Sequence, residues 1–256
     1  MTERLSRNRQ QAVSCLYAIG QMGSVLARLL AATAAVAAMW FAPNGIPAAA
    51  AQGCPDIEVI FARGTNDPPG IGGVGQAFVD SLRSKVGDRS VGVYPVNYAA
   101  TMNFLRAAEG ATDANNHAQF MATNCPNTKL VLGGFSQGAA VVDLMLGVAP
   151  NVAAIAGVNA IPGLNAIPGL DLNALATPLP PAAANRVAAV AVFGNPLGRI
   201  MGPLNALSPA FGARTIDLCN ADDPICDKGD LSNRAPHHQY VPGMTDQAAS
   251  FVAGLV

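Results

Sequence analysis

Gly134-Phe135-Ser136-Gln137-Gly138 stands between the apolar run Lys129-Leu130-Val131-Leu132-Gly133 and the segment Ala139-Ala140-Val141-Val142-Asp143-Leu144. This reads as a strand, a sharp turn and a helix with a serine at the apex, the arrangement of a nucleophile elbow. Glycines two positions to either side of Ser136 let the arms of the turn pass. The helix that follows would aim unpaired N–H groups at a carbonyl oxygen under attack. The plainer reading is a glycine-rich turn whose serine only caps that helix. A lone serine hydroxyl is a poor nucleophile, so catalysis needs a base to take its proton and an acid to orient the base. The chain has three histidines. His117 falls in a polar helical stretch and reads as a solvated surface side chain. His237 and His238 follow the last expected strand, where a Ser, Asp, His chain order places its base. Asp222 and Asp223 lie inside the loop bounded by Cys219 and Cys226, and a carboxylate from a stiff loop would orient the imidazole. The chemistry these types and spacings fit is acyl transfer.

The elements that must position those groups alternate short β-branched runs with helical patterns, the signature of a parallel sheet with crossover helices. Strands are expected at Ile57–Ala62, Ser90–Val96, Lys129–Gly133 (the central one), Val187–Phe193 and Arg214–Leu218. Helices are expected at Gly75–Lys85, with Phe78, Leu82 and Val86 on one apolar face, and at Ala107–Thr123, with Ala108, Ala111, Phe120 and Met121 partly inward. Two more follow, the elbow helix Gln137–Gly147 and a closing helix from about Thr245 to Leu255. One stretch breaks the rhythm: Asn159-Ala160-Ile161-Pro162-Gly163-Leu164 is repeated at once as Asn165-Ala166-Ile167-Pro168-Gly169-Leu170, and prolines continue through Pro178, Pro180 and Pro181. The segment 159–182 is therefore expected to be a Pro-rich loop, either a substrate-facing flap or low-complexity filler.

Arg4, Arg7 and Arg9, the uncharged run Leu29–Phe41 and the A-x-A sites of Ala48–Ala51 read as a secretory signal peptide over residues 1–51. The apolar run is too short to span a bilayer alone, and an uncleaved anchor would need the upstream segment as well. Residues 52–256 then form a single domain, with 11 basic and 15 acidic side chains and a net charge near −4. No basic patch suggests nucleic acid, and nothing suggests more than a monomer. Cys15 belongs to the leader, which leaves Cys54, Cys125, Cys219 and Cys226. An even count in an exported chain suggests two disulfides, with three connectivities open; the short Cys219 to Cys226 spacing favours a local staple, leaving Cys54 with Cys125. A zinc site lacks both a C-x-x-C and a paired-His spacing.

Phe61-Ala62-Arg63-Gly64-Thr65, the Ser136 pentapeptide, Cys219-Asn220-Ala221-Asp222-Asp223-Pro224-Ile225-Cys226 and His237-His238-Gln239-Tyr240 together closely resemble the cutinase family, in particular its mycobacterial cutinase-like members. The likeness runs from about Cys54 to Val256. It implies an α/β-hydrolase fold with a central, mostly parallel sheet of about five strands and helices on both faces. It also implies Ser136 as nucleophile, Asp223 as acid and His237 as base, three residues before the aromatic Tyr240. Thr65 and the backbone N–H of Gln137 would form the oxyanion hole, and the disulfides would be Cys54 with Cys125 and Cys219 with Cys226. No metal or other cofactor is implied. The activity implied is a secreted serine esterase acting on carboxylic esters of short to medium acyl chains, small-molecule or lipid, with transient contact to a lipid or polymer surface. The alternatives are an acetylxylan-esterase-like carbohydrate esterase and a catalytically silent secreted lipid-binding wall protein.

Overall fold

The strands form where apolar runs are long enough to be buried on both faces. β1 (Ile57–Ala62) is wholly buried, and β3 (Lys129–Phe135) and β4 (Val187–Phe193) nearly so. β2 (Val91–Pro95) and β5 (Thr215–Leu218) are only partly buried, as edge strands are. A computed structural model describes residues 53–148 and 178–256 of the chain. Residues 1–52, on which the expected signal peptide falls, the tandem hexapeptide repeat and all of 159–182 before Pro178 lie outside the described residues. All strand pairings are parallel, in the order β2-β1-β3-β4-β5, which puts the expected central strand at the centre.

Alternation along the strands divides the core in two. Ile57, Val59 and Phe61 face one layer with Phe78 and Leu82 of α1 (Gly72–Lys85) and Ala248 and Val252 of the last helix (Gly243–Ala253). Ile60, Leu130, Leu132 and Val190 face the other, with Ala111, Ala114 and Ala118 of α2 (Ala107–Asn124) and Val141 and Val142 of α3 (Gln137–Met145). The helices expected on both faces are there, with ends shifted by up to three residues; Arg214 lies in a 3₁₀ turn before β5 rather than in it. Among the described residues, three short helices were not expected: α4 (Pro181–Ala184), α5 (Pro196–Met201) and α6 (Leu204–Leu207). The last helix is therefore α7. Among the described residues, no helix is long and apolar enough to cross a membrane.

Two expectations for α2 are overturned. His117 is not a solvated surface group: its side chain is 16% exposed, its Nε2 lies 3.0 Å from Glu58 Oε1, and its ring stacks on Tyr94 at 3.6 Å. The cause is a polar residue, Glu58, at an inward position of β1, which gives the sheet-facing side of α2 a polar partner. Phe120, expected inward, is 56% exposed.

Candidate active site

Ser136 sits between β3 and α3 with φ 55° and ψ −118°, a sparsely populated conformation for a residue with a side chain. The turn closes because its neighbours lack side chains: a Cβ on Gly134 would stand 2.1 Å from the Gly138 carbonyl oxygen, and one on Gly138 2.0 Å from that of Ala62. Ser136 holds the N-cap position of α3 but makes no side-chain cap hydrogen bond, so the capping reading fails. Its Oγ lies 2.9 Å from His237 Nε2 instead.

His237 belongs to a 3₁₀ turn, Pro236–His238, and is 4% exposed. Its ring stacks on Phe135 at 4.9 Å and rests against Gly194, whose φ of 57° and absent side chain leave the room; a Cβ there would be 2.8 Å from His237 Cε1. Its Nδ1 is 2.8 Å from Asp223 Oδ2 and 3.0 Å from Oδ1. Asp223 is fully buried and also accepts from the Ile225 N–H (2.7 Å) and the Tyr240 hydroxyl (2.6 Å). Burial pushes this carboxyl up, but the hydrogen bonds from His237, Tyr240 and Ile225 outweigh it and hold it below its ordinary value, ionised. Burial first, then the bond to Asp223, raises the Tyr240 phenol above its ordinary value, so it remains a donor.

The paired candidates are thus separated by geometry. His238 and Asp222 are exposed, and Asp222 turns outward with φ 61°, its N–H donating to Asp227 Oδ2 at 3.1 Å. Cys219 is bonded to Cys226, and Cys54 to Cys125. Cys219, Cys226 and Asp223 cluster closely, but two sulfurs joined to each other offer no thiolate to a metal.

Thr65, in the loop after β1, donates from Oγ1 to Gln137 Oε1 at 3.4 Å, and Gln137 Nε2 donates to the Thr101 carbonyl at 3.1 Å. As the first residue of α3, Gln137 has a backbone N–H without an intrahelical acceptor. Thr65 and Gln137 therefore meet beside Ser136. Sequence reasoning used Tyr240 only as a marker for His237 and missed it as a partner of Asp223. The Phe135 stack was missed as well; its place next to the serine was the available signal.

A five-stranded parallel sheet covered by helices on both faces, with a serine at the turn after the central strand and an imidazole and carboxylate beyond the last strand, defines a protein of α/β-hydrolase type. The family model described as Cutinase matches residues 53–256, and the chain belongs to the cutinase family. It is 51% identical over 232 residues to Phospholipase Culp4 of Mycobacterium tuberculosis, covering 90% of this chain and 92% of that one. It is 51% identical over 219 residues to Probable carboxylesterase Culp3 of the same organism, covering 85% and 74%. The structure of a Trichoderma reesei cutinase in complex with a phosphonate inhibitor superposes with a TM-score of 0.58 at 33% identity, over 79% of this chain and 77% of that one.

Proposed function

We propose that this carboxylic ester hydrolase acts through Ser136, His237 and Asp223, exported behind the leader 1–51, on esters of short to medium acyl chains. The observation that carries the reading is the run of contacts from Ser136 Oγ to His237 Nε2 (2.9 Å) and from His237 Nδ1 to Asp223 Oδ2 (2.8 Å). With Asp223 ionised, the neutral imidazole keeps its proton on Nδ1 and leaves Nε2 free to accept from the serine. Ser136 Oγ attacks the ester carbonyl as Nε2 takes its proton. The Thr65 hydroxyl, turned from Gln137 Oε1, and the Gln137 N–H receive the oxyanion. The imidazolium then protonates the leaving alkoxide, giving an acyl-enzyme that water cleaves by the same route. No step calls for a metal or an organic cofactor. The relatives named as a phospholipase and a carboxylesterase support a lipid or small-molecule ester as substrate. Two disulfides fit an oxidising compartment.

The test is hydrolysis of p-nitrophenyl esters from acetyl to palmitoyl by residues 52–256, with Ser136→Ala alongside. The expected result is turnover that peaks at short to medium chains and vanishes in Ser136→Ala, with covalent fluorophosphonate labelling of Ser136. A peak at acetyl alone would move the substrate toward carbohydrate esters. A folded protein that neither turns over nor labels would be a binding protein.

A further inference from the structure

The loop that carries Thr65 leaves the sheet at the C-terminal end of β1, where backbone groups have no strand partner and local opening is easy. Oxyanion stabilisation, however, depends on donors already fixed where charge develops. Arg63, two residues before Thr65, is 8% exposed, and its three hydrogen bonds all go to main-chain carbonyls rather than to a carboxylate. Nε donates to Asp67 O (3.0 Å), Nη1 to Val96 O (3.4 Å) and Nη2 to Tyr98 O (2.6 Å). The guanidinium lies over the Tyr98 ring, 5.2 Å from its centroid, and the Tyr98 hydroxyl donates back to the Arg63 carbonyl at 2.5 Å. Beyond Thr65, the Asn66 N–H donates to Ala100 O at 2.6 Å. Asp67 closes the loop by accepting from the Gly64 N–H at 3.0 Å.

We propose that Arg63 is a positioning residue for the oxyanion hole, clamping the Thr65 loop to the strip Val96–Thr101 from which Gln137 is also held. The inference rests on the assignment of Thr65 as an oxyanion donor. Thr65 is gripped on both sides, by Arg63 before it and Asn66 after it, and both grips reach the same strip. That strip also receives Gln137 Nε2 through the Thr101 carbonyl. Both oxyanion donors therefore share one frame of reference, and the planar fork of the guanidinium makes it rigid. A lysine, a point charge on a flexible stem, cannot satisfy three divergent carbonyls at once. Glutamine at position 63 is too short to reach both segments.

A double-mutant cycle on folded protein tests this, using p-nitrophenyl ester hydrolysis with kcat and KM measured separately. Arg63→Gln is expected to lower kcat about 10- to 100-fold with KM within about twofold, because the lost interaction belongs to the transition state. In a Thr65→Ala background the same substitution is expected to cost less than about threefold, since nothing is left for Arg63 to position. Should Arg63→Gln not fold, Arg63→Lys is measured in both backgrounds, with a smaller loss that likewise disappears without Thr65. Equal fold losses in the two backgrounds, or a kcat within twofold of the parent in a folded Arg63 variant, would overturn the inference. A wild-type rate for Thr65→Ala alone would remove the Thr65 assignment and the positioning role with it, an outcome distinct from both.

Discussion

Asp223 is the residue on which the site's charge balance turns, and Tyr240 is its least expected support. A buried carboxylate is costly unless its oxygens are hydrogen-bonded, and here His237, Ile225 and Tyr240 supply the donors. Tyr240→Phe removes the 2.6 Å bond without changing the ring that packs against Phe135 and Phe193. Losing a hydrogen bond to a charged group weakens Asp223 as the anchor of His237, and kcat/KM should fall about tenfold at neutral pH. The variant also shifts acid stability. A carboxyl held below its ordinary value contributes stability that is present above the unfolded value and is lost as pH falls through the folded one. In Tyr240→Phe the folded value rises, so that contribution shrinks: the variant's melting temperature should fall below the parent's most at pH 7, and the gap should narrow as pH drops below about 4 and Asp223 becomes protonated in both proteins. Unchanged kcat/KM together with a parallel melting curve would show that the phenol does not support the acid. Tyr240 was hidden in the sequence because its partner is 17 residues away across a loop whose path only the folded chain reveals.

At the scale of elements, a second group of carboxyls ties together the pieces that carry the site. Asn195 Nδ2, at the start of α5, donates to Asp143 Oδ1 on α3 (3.1 Å) and Asp217 Oδ2 on β5 (3.4 Å); the Leu204 N–H of α6 also donates to Asp217 Oδ2 (2.8 Å). Asp143 Oδ2 has no hydrogen-bond partner among the described residues. Burial, and then the nearby Asp217, push the Asp143 carboxyl well above the usual range, while burial raises Asp217 to about 6. For groups raised in this way, the stability contribution is full below about pH 4 and is lost as pH rises through the folded value, for Asp217 between about 4 and 6. Asp143→Asn supplies a neutral isostere. Its melting temperature at pH 7 should be higher than the parent's by about 2–4 °C, and the decline from pH 4 to 7 should be shallower. A melting temperature several degrees lower at pH 7 would mean that an ionised Asp143 is what the fold uses. Most elements were legible beforehand: β4 announces itself as an unbroken apolar run, β1 and β3 as apolar runs that carry one charged residue each, Glu58 and Lys129, and α1 by the spacing of Phe78 and Leu82. The short helices α5 and α6 were not, since four to six residues carry no periodicity and their stability comes from caps such as Asn195 on the Leu197 N–H. His117 was misread because its partner Glu58 is 59 residues away on another element.

Across the whole molecule the two disulfides do different work, and their loss separates stability from catalysis. Cys54 precedes β1 and Cys125 ends α2, so this bond closes 71 residues at the end of the parallel sheet opposite Ser136. Cys219 to Cys226 closes seven residues around Asp223. Chain entropy alone assigns about 4 kcal/mol to the longer closure and about 2.5 kcal/mol to the shorter. Activity should rank them the other way. Replacing Cys54 and Cys125 by serine should lower unfolding stability by up to about 4 kcal/mol while leaving kcat of the folded enzyme within about twofold. Replacing Cys219 and Cys226 should cost less stability. It should nonetheless lower kcat by tenfold or more, because the loop that presents Asp223 to His237 then samples conformations in which the 2.8 Å contact is absent. Denaturant unfolding and ester hydrolysis on the same two double variants make the comparison. If the short-loop variant keeps full kcat, the hydrogen bonds from Ile225 and Tyr240 hold the acid without the staple. If the long-loop variant loses kcat while folded, the sheet's far end is coupled to the site more tightly than its geometry implies.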